Sequence, residues 1–237
     1  MATFVLVHGA WTGAFVFRHV RRQLQALGHE VFTPSLTGIG DRAHLASPLV
    51  DLSTHVRDVV NLVLYEDLKD VVLLGFSYGG FVVTGALEHI ADRVSHLVYL
   101  DAFVPEHSGD SVLAQHGRPE RAPIQISESW LAPPPQRHFD STEEGEWVAA
   151  RRTQHPIATL VEPVYLARPL EDYPFTRTYV FASAKPSEES VLAALERSAA
   201  RAQSSAAWRY YEIATSHMIA SNRPAELTEI LLSLLSA

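Results

Sequence analysis

Apolar runs and helical stripes alternate along most of this chain. Thr3 to Val7 is a near-continuous apolar run ending at His8-Gly9, as expected of a strand buried on both faces. Phe17, Val20, Leu24 and Leu27 then recur at helical spacing, with Gly28 placed to end the helix. Glu30 to Pro34 predicts the next strand, and a Gly-bearing loop follows from Thr37 to Asp41. Val56, Val59, Val60 and Val63 mark a second helical stripe, with Ser53 or Thr54 as its candidate cap. Val71-Val72-Leu73-Leu74 predicts a third strand, Phe81 to Ile90 a helix, and Ser95 to Leu100 a fourth strand. Arg177 to Ser183 and Trp208 to Ile213 predict two more strands, with an Ala-rich helix from about Ser187 to Arg201 between them. Leu227, Ile230, Leu231 and Leu234 mark a last helix. Such alternation predicts an α/β fold with a doubly wound, mostly parallel sheet.

The rhythm breaks between about Val104 and Tyr173. This stretch holds Trp130, Pro133-Pro134-Pro135, Glu143-Glu144 and Trp147, and it cannot continue the strand–helix alternation. So long a structureless loop is unusual in a compact domain. Its aromatic and aliphatic content also argues against a disordered linker. The expected organisation is a core of residues 1–104 and 174–237, with residues 105–173 inserted as a small lid over the carboxyl end of the sheet.

Composition narrows the picture. The chain has 237 residues, 47% of them hydrophobic, which suits one large core. A formal net charge of −8, with no basic cluster, makes nucleic acid and anionic membranes poor partners. No apolar run approaches the ~18 residues of a membrane span. There are no cysteines, so disulfides and thiolate metal sites are excluded. Met1 runs straight towards a strand without a basic leader, and a cytoplasmic protein is expected. A small-molecule substrate is the expected partner, and a homodimer stays open. The twelve histidines are scattered and no ligand motif appears, so no metal and no cofactor are expected.

One hexapeptide carries chemistry. Gly75-Phe76-Ser77-Tyr78-Gly79-Gly80 leaves the apolar run at Val71–Leu74 and enters the helix at Phe81. A G-x-S-x-G turn between strand and helix is tight enough that side chains two positions either side of the serine would collide, hence Gly75 and Gly79. It holds the serine exposed at the end of the sheet on a strained backbone. Ser77 is therefore the candidate nucleophile.

Together with Phe4-Val5-Leu6-Val7-His8-Gly9-Ala10-Trp11, Leu97-Val98-Tyr99-Leu100-Asp101-Ala102-Phe103-Val104-Pro105 and Ser216-His217-Met218, this turn resembles the α/β-hydrolases. Within them the chain is most similar to the plant methylesterases and hydroxynitrile lyases with their bacterial relatives. The resemblance covers both ends of the chain and fades through residues 105–173. It implies the order serine, acid, histidine. His217 is the only histidine after His155 and stands in the family's place for the base. His44, His107, His116, His138 and His155 read as surface loop residues, and His8 as a residue that shapes the loop after the first strand. That loop implies an oxyanion hole made by the backbone N–H groups of Tyr78 and Ala10, with Trp11 the alternative to Ala10.

The acid departs from the plant branch. Those enzymes carry an aspartate where this chain reads Ser183-Ala184-Lys185-Pro186-Ser187, which has no carboxylate and a lysine of the wrong charge for an imidazolium. Haloalkane dehalogenases and some lipases of the superfamily carry their acid after the preceding strand, where this chain has Asp101. Asp101 is therefore the expected acid. Glu188 or Glu189 is the alternative, and a structural Asp101 beside an unassisted Ser77–His217 dyad is the third reading. The lyases carry a lysine after the catalytic histidine and an early threonine in the oxyanion loop, where this chain has Met218 and Gly9. The resemblance thus implies a serine hydrolase cleaving a carboxylic ester of a small apolar or aromatic compound. Carbon–carbon bond hydrolysis or lyase chemistry on the same residues is one alternative, and a non-catalytic ligand-binding homologue is the other. Trp11, Phe103, Trp130 and Met218 are the candidate pocket residues, and Phe76 makes the site more apolar than the histidine often found there.

Overall fold

The computed structural model describes residues 1–115, 130–186 and 192–236. Six strands form one sheet: β1 (Thr3–Val7), β2 (Glu30–Phe32), β3 (Val71–Phe76), β4 (Val94–Leu100), β5 (Thr176–Ala182) and β6 (Trp208–Ile213). Their order is β2-β1-β3-β4-β5-β6, and every neighbouring pair is parallel. The order reverses at β1, so the chain winds first one way and then the other across the sheet.

The continuous apolar runs follow from this burial. Along β1, Val5 and Val7 enter one core while Phe4 and Leu6 enter the other, because alternate side chains point to opposite faces. Helices α2 (Leu52–Tyr65) and α3 (Gly79–Ile90) cover the first face, with Val59, Val63, Phe81 and Val82 fully buried. Helix α1 (Arg18–Ala26) and a late helix (Pro224–Ser233) cover the second through Val20, Leu24, Leu227 and Leu231. Between β5 and β6 a helix runs from Leu192 to Gln203, and its expected first residues lie outside the described ones. The cap of α2 is Asp51 rather than Ser53 or Thr54: its carboxylate accepts the Thr54 N–H at 2.8 Å and the Thr54 hydroxyl at 2.7 Å.

Described parts of the 105–173 segment form short pieces: a turn of helix at Val112–Gln115, a helix at Thr142–Ala149, and a two-stranded antiparallel pair of Leu131–Ala132 with His155–Pro156. The segment is fastened to the loops at the carboxyl ends of the strands. The Trp11 indole donates to the Ala132 carbonyl at 2.9 Å, the Thr153 N–H to the Trp11 carbonyl at 3.1 Å, and the Gly40 N–H to the Thr153 hydroxyl at 2.9 Å. Trp147 lies between two guanidinium groups, Arg18 at 3.4 Å and Arg151 at 3.9 Å from its ring centre, so this tryptophan packs rather than lining a pocket.

Candidate active site

Ser77, Asp101 and His217 each follow the carboxyl end of a strand: Ser77 and Asp101 the adjacent strands β3 and β4, and His217 the strand β6, which lies beyond β5. The His217 Nε2 lies 2.9 Å from Ser77 Oγ, and Nδ1 lies 2.7 Å from Asp101 Oδ2. All three are buried. Phe76 lies against the His217 ring, with centroids 4.8 Å apart, so the residue before the serine shields the imidazole.

The turn is strained as expected. Ser77 has φ 55° and Asp101 φ 39°, both in the left-handed region that ordinary residues avoid. Backbone bonds hold them there: Ser77 N–H to the Leu100 carbonyl at 3.2 Å, Phe103 N–H to the Ser77 carbonyl at 3.2 Å, and Asp101 N–H to the Val180 carbonyl at 2.7 Å. A Cβ on Gly75 would stand 2.5 Å from the Gly79 carbonyl oxygen. One on Gly79 would meet the Val7 and His8 carbonyl oxygens at 2.8 Å, so that glycine makes room for β1.

The two candidate donors in the loop after β1 differ in what their amides meet. The Trp11 N–H points to His155 Nδ1 at 3.4 Å, whereas the Ala10 and Tyr78 amides have no hydrogen-bond partner among the described residues. Tyr78 also opens α3, whose N-terminal dipole favours negative charge at this point. Three buried histidines brace the loop. His8 Nδ1–H donates to the Gly9 carbonyl at 2.9 Å while Nε2 accepts the Leu36 N–H at 3.0 Å. His55 Nε2–H donates to the Thr37 carbonyl at 2.7 Å and Nδ1 accepts the Tyr78 hydroxyl at 2.9 Å. Burial lowers His8 and His55 to about 4 and pushes His155 well below its ordinary value. His8 thus shapes the loop as expected, but His155 is not a surface residue: it is fully buried, with Nε2 2.6 Å from the Thr159 hydroxyl. His116 lies outside the described residues, as do Glu188 and Glu189.

Lys185 reaches the site despite a charge that opposes an imidazolium. Its Nζ lies 2.8 Å from Asp101 Oδ1, the oxygen His217 leaves free, and the Ala182 N–H donates to the same oxygen at 3.2 Å. Burial alone would push the Asp101 carboxyl up. The His217 hydrogen bond, the His217 charge and the Lys185 charge outweigh it and hold the carboxyl below the usual range.

A cavity of about 40 Å³ opens over Ser77, walled by Trp11, Tyr78, Phe103, Leu113, Arg137 and Leu160. Trp11 and Phe103 line it as expected. Met218 does not: it turns into the core on the α1 face of the sheet with Ile219 and Leu227. Trp130 is also absent from the wall, and its backbone carbonyl accepts the Ile157 N–H at 2.9 Å instead. Leu113, Arg137 and Leu160 are wall residues that the sequence reading does not name, since their stretch carries no periodic signal. Among the described residues, no group of three His, Asp or Glu side chains gathers as a metal site, and no helix is long and apolar enough to cross a membrane.

A profile described as the alpha/beta hydrolase family matches residues 4–230. The chain belongs to the α/β-hydrolase family. Over 183 residues this hydrolase is 42% identical to a carbendazim hydrolyzing esterase of Nocardioides sp. (strain SG-4G), covering 70% of this chain and 74% of that one. It is 36% identical over 127 residues to methylesterase 1 of Arabidopsis thaliana, covering 48% of this chain and 45% of the plant protein. These matches bear out the branch resemblance read from the motifs. An extracellular alpha/beta-hydrolase from a Paenibacillus species shares the fold, with a TM-score of 0.77 and 23% identity over 99% of each chain.

Proposed function

We propose that this hydrolase cleaves a carboxylic ester through an acyl-enzyme on Ser77, with His217 as base and Asp101 as the acid that orients it. The observation that carries the reading is the relay of two hydrogen bonds, Ser77 Oγ to His217 Nε2 at 2.9 Å and His217 Nδ1 to Asp101 Oδ2 at 2.7 Å. A serine hydroxyl is a poor nucleophile until its proton leaves, and Nε2 is placed to accept it as Oγ attacks the ester carbonyl. Asp101 fixes the tautomer with the proton on Nδ1 and stabilises the imidazolium that forms. Negative charge then develops on the carbonyl oxygen, where the Ala10 and Tyr78 N–H groups receive it. His217 returns the proton to the leaving alcohol, and a water activated by the same imidazole releases the acid.

Trp11, Phe103, Leu113 and Leu160 favour an apolar group next to the reacting carbonyl. Names of the two curated relatives, an esterase and a methylesterase, support ester cleavage over the other chemistries.

The test is a panel of p-nitrophenyl esters of graded acyl length beside cyanohydrins and 1,3-diketones, with fluorophosphonate labelling in parallel. Ester turnover and labelling abolished by Ser77→Ala are expected. Turnover of the cyanohydrins or diketones alone would refute the ester reading, and absent labelling would refute the nucleophile.

A further inference from the structure

We propose that Lys185 is a positioning residue of this site, its ammonium clamping the second carboxylate oxygen of Asp101 so that the first stays on His217 and the imidazole stays neutral to lower pH. The proposal rests on the roles given above to Ser77, His217 and Asp101 and deepens them.

The Lys185 side chain is 1% exposed and that of Asp101 0%, so the pair is fully out of water. A buried ammonium is costly, and an apolar side chain of the same length would pack as well or better. Lys185 is instead spent on three contacts: Asp101 Oδ1 at 2.8 Å, the Ala182 carbonyl at 2.5 Å, and the face of Phe181 at 3.7 Å. Oδ1 therefore holds two donors, Lys185 and the Ala182 N–H, while Oδ2 holds His217 Nδ1. Rotating the carboxylate would break all of these at once, so its orientation towards the imidazole is fixed.

Charge adds a second effect. A lone carboxylate beside an imidazole stabilises the protonated ring, which can no longer accept the serine proton. A cation on the far oxygen offsets that pull. The other groups facing Asp101 do not supply it. Tyr179 on β5 donates its hydroxyl to the Ala102 carbonyl at 2.9 Å, and Tyr210 on β6 donates to Glu212 at 2.8 Å. Burial pushes both phenols up, so they stay neutral at working pH. Ser77 occupies the other ring nitrogen.

The experiment is the pH profile of kcat/KM for Lys185→Met and Lys185→Arg, read on whichever ester the wild type turns over. Lys185→Met should move the acid limb up by about one pH unit, a tenfold loss at a pH on that limb. Lys185→Arg keeps the charge and should keep the limb near its wild-type position even where the plateau falls. A Lys185→Met profile that drops evenly at every pH, or an equal shift in both variants, would overturn the proposal. Should Lys185→Met fail to fold, melting of Asp101→Asn against Asp101→Asn/Lys185→Met decides it. The double variant should melt higher, because the single one strands a buried ammonium; equal or lower melting would overturn the coupling. A wild type inert to esters and fluorophosphonate would refute the proposed function, while the same melting comparison would still judge the Asp101–Lys185 pair.

Discussion

Acidification should unfold this hydrolase well before its carboxylates titrate, because three neutral histidines are sealed behind the active-site loop. His8 and His55 sit near 4 in the folded chain against about 6.5 in an unfolded one. The folded state therefore binds fewer protons than the unfolded state across that window, so stability falls as pH drops from 6.5 towards 4 and is fully present above it. At about 1.4 kcal/mol per pKa unit, each of the two contributes roughly 3 kcal/mol that acid removes. His155, pushed well below its ordinary value by burial, acts in the same direction. With three groups charging only on unfolding, the slope is roughly 4 kcal/mol per pH unit between pH 6 and 4.5. That compares with a total of about 5–15 kcal/mol for a folded domain. For a chain of this size, 1 kcal/mol moves Tm by about 2–4 °C. Differential scanning calorimetry should show a flat Tm above pH 7 and a fall of roughly 8–16 °C per pH unit below 6. Ester turnover should vanish with it, since His155 holds the Trp11 N–H and His55 holds the Tyr78 hydroxyl. A Tm that stays level from pH 7 to 5 would refute the claim that these imidazoles are buried neutral.

The remaining expectations concern the chemistry. Ser77→Ala should cut ester hydrolysis by about 10⁴-fold or more with the fold intact, since nucleophile and base act as one unit; stopped assays on purified protein check it, and a residual rate above about 1% of wild type would sink the assignment. Asp101→Asn should cost roughly 10²- to 10⁴-fold in rate by allowing the wrong imidazole tautomer. The same change strands Lys185 in the interior, and removing one partner of a buried pair costs about 3–5 kcal/mol, so its Tm should fall by roughly 10 °C or more. Dialysis against EDTA should leave turnover unchanged, and loss that zinc or manganese restores would show that a metal takes part.

How much of this could be read beforehand depends on which interactions are local. Strands buried on both faces carry continuous apolar runs, so β1 and β3 announce themselves most plainly, and Gly75 marks a turn whose closest contact, the Gly79 carbonyl, lies within five residues. The cap of α2 was less legible, because Asp51, Ser53 and Thr54 all carry a suitable oxygen and only the backbone path decides between them. His155 was misread for a different reason. Gln154-His155-Pro156 is a polar stretch by itself, and its burial comes from partners far along the chain: Trp11, 144 residues away, and the Tyr78 ring at 5.1 Å.

Lys185 shows where reasoning from the sign of a charge fails. Beside an imidazolium a lysine repels, so a segment offering Lys185 and no carboxylate looked unable to serve the site. A carboxylate, however, has two oxygens facing different ways, and each can take its own donor. Once Asp101 at the end of β4 supplies the negative charge, a cation arriving from the end of β5 completes its far side rather than opposing the histidine. The two strands are hydrogen-bonded neighbours, with Leu100 opposite Val180, so residues just beyond their ends are within reach of one another. The sign of charge that suits one strand end therefore depends on what the next one carries, and neither Asp101 nor Lys185 can be assigned without the other.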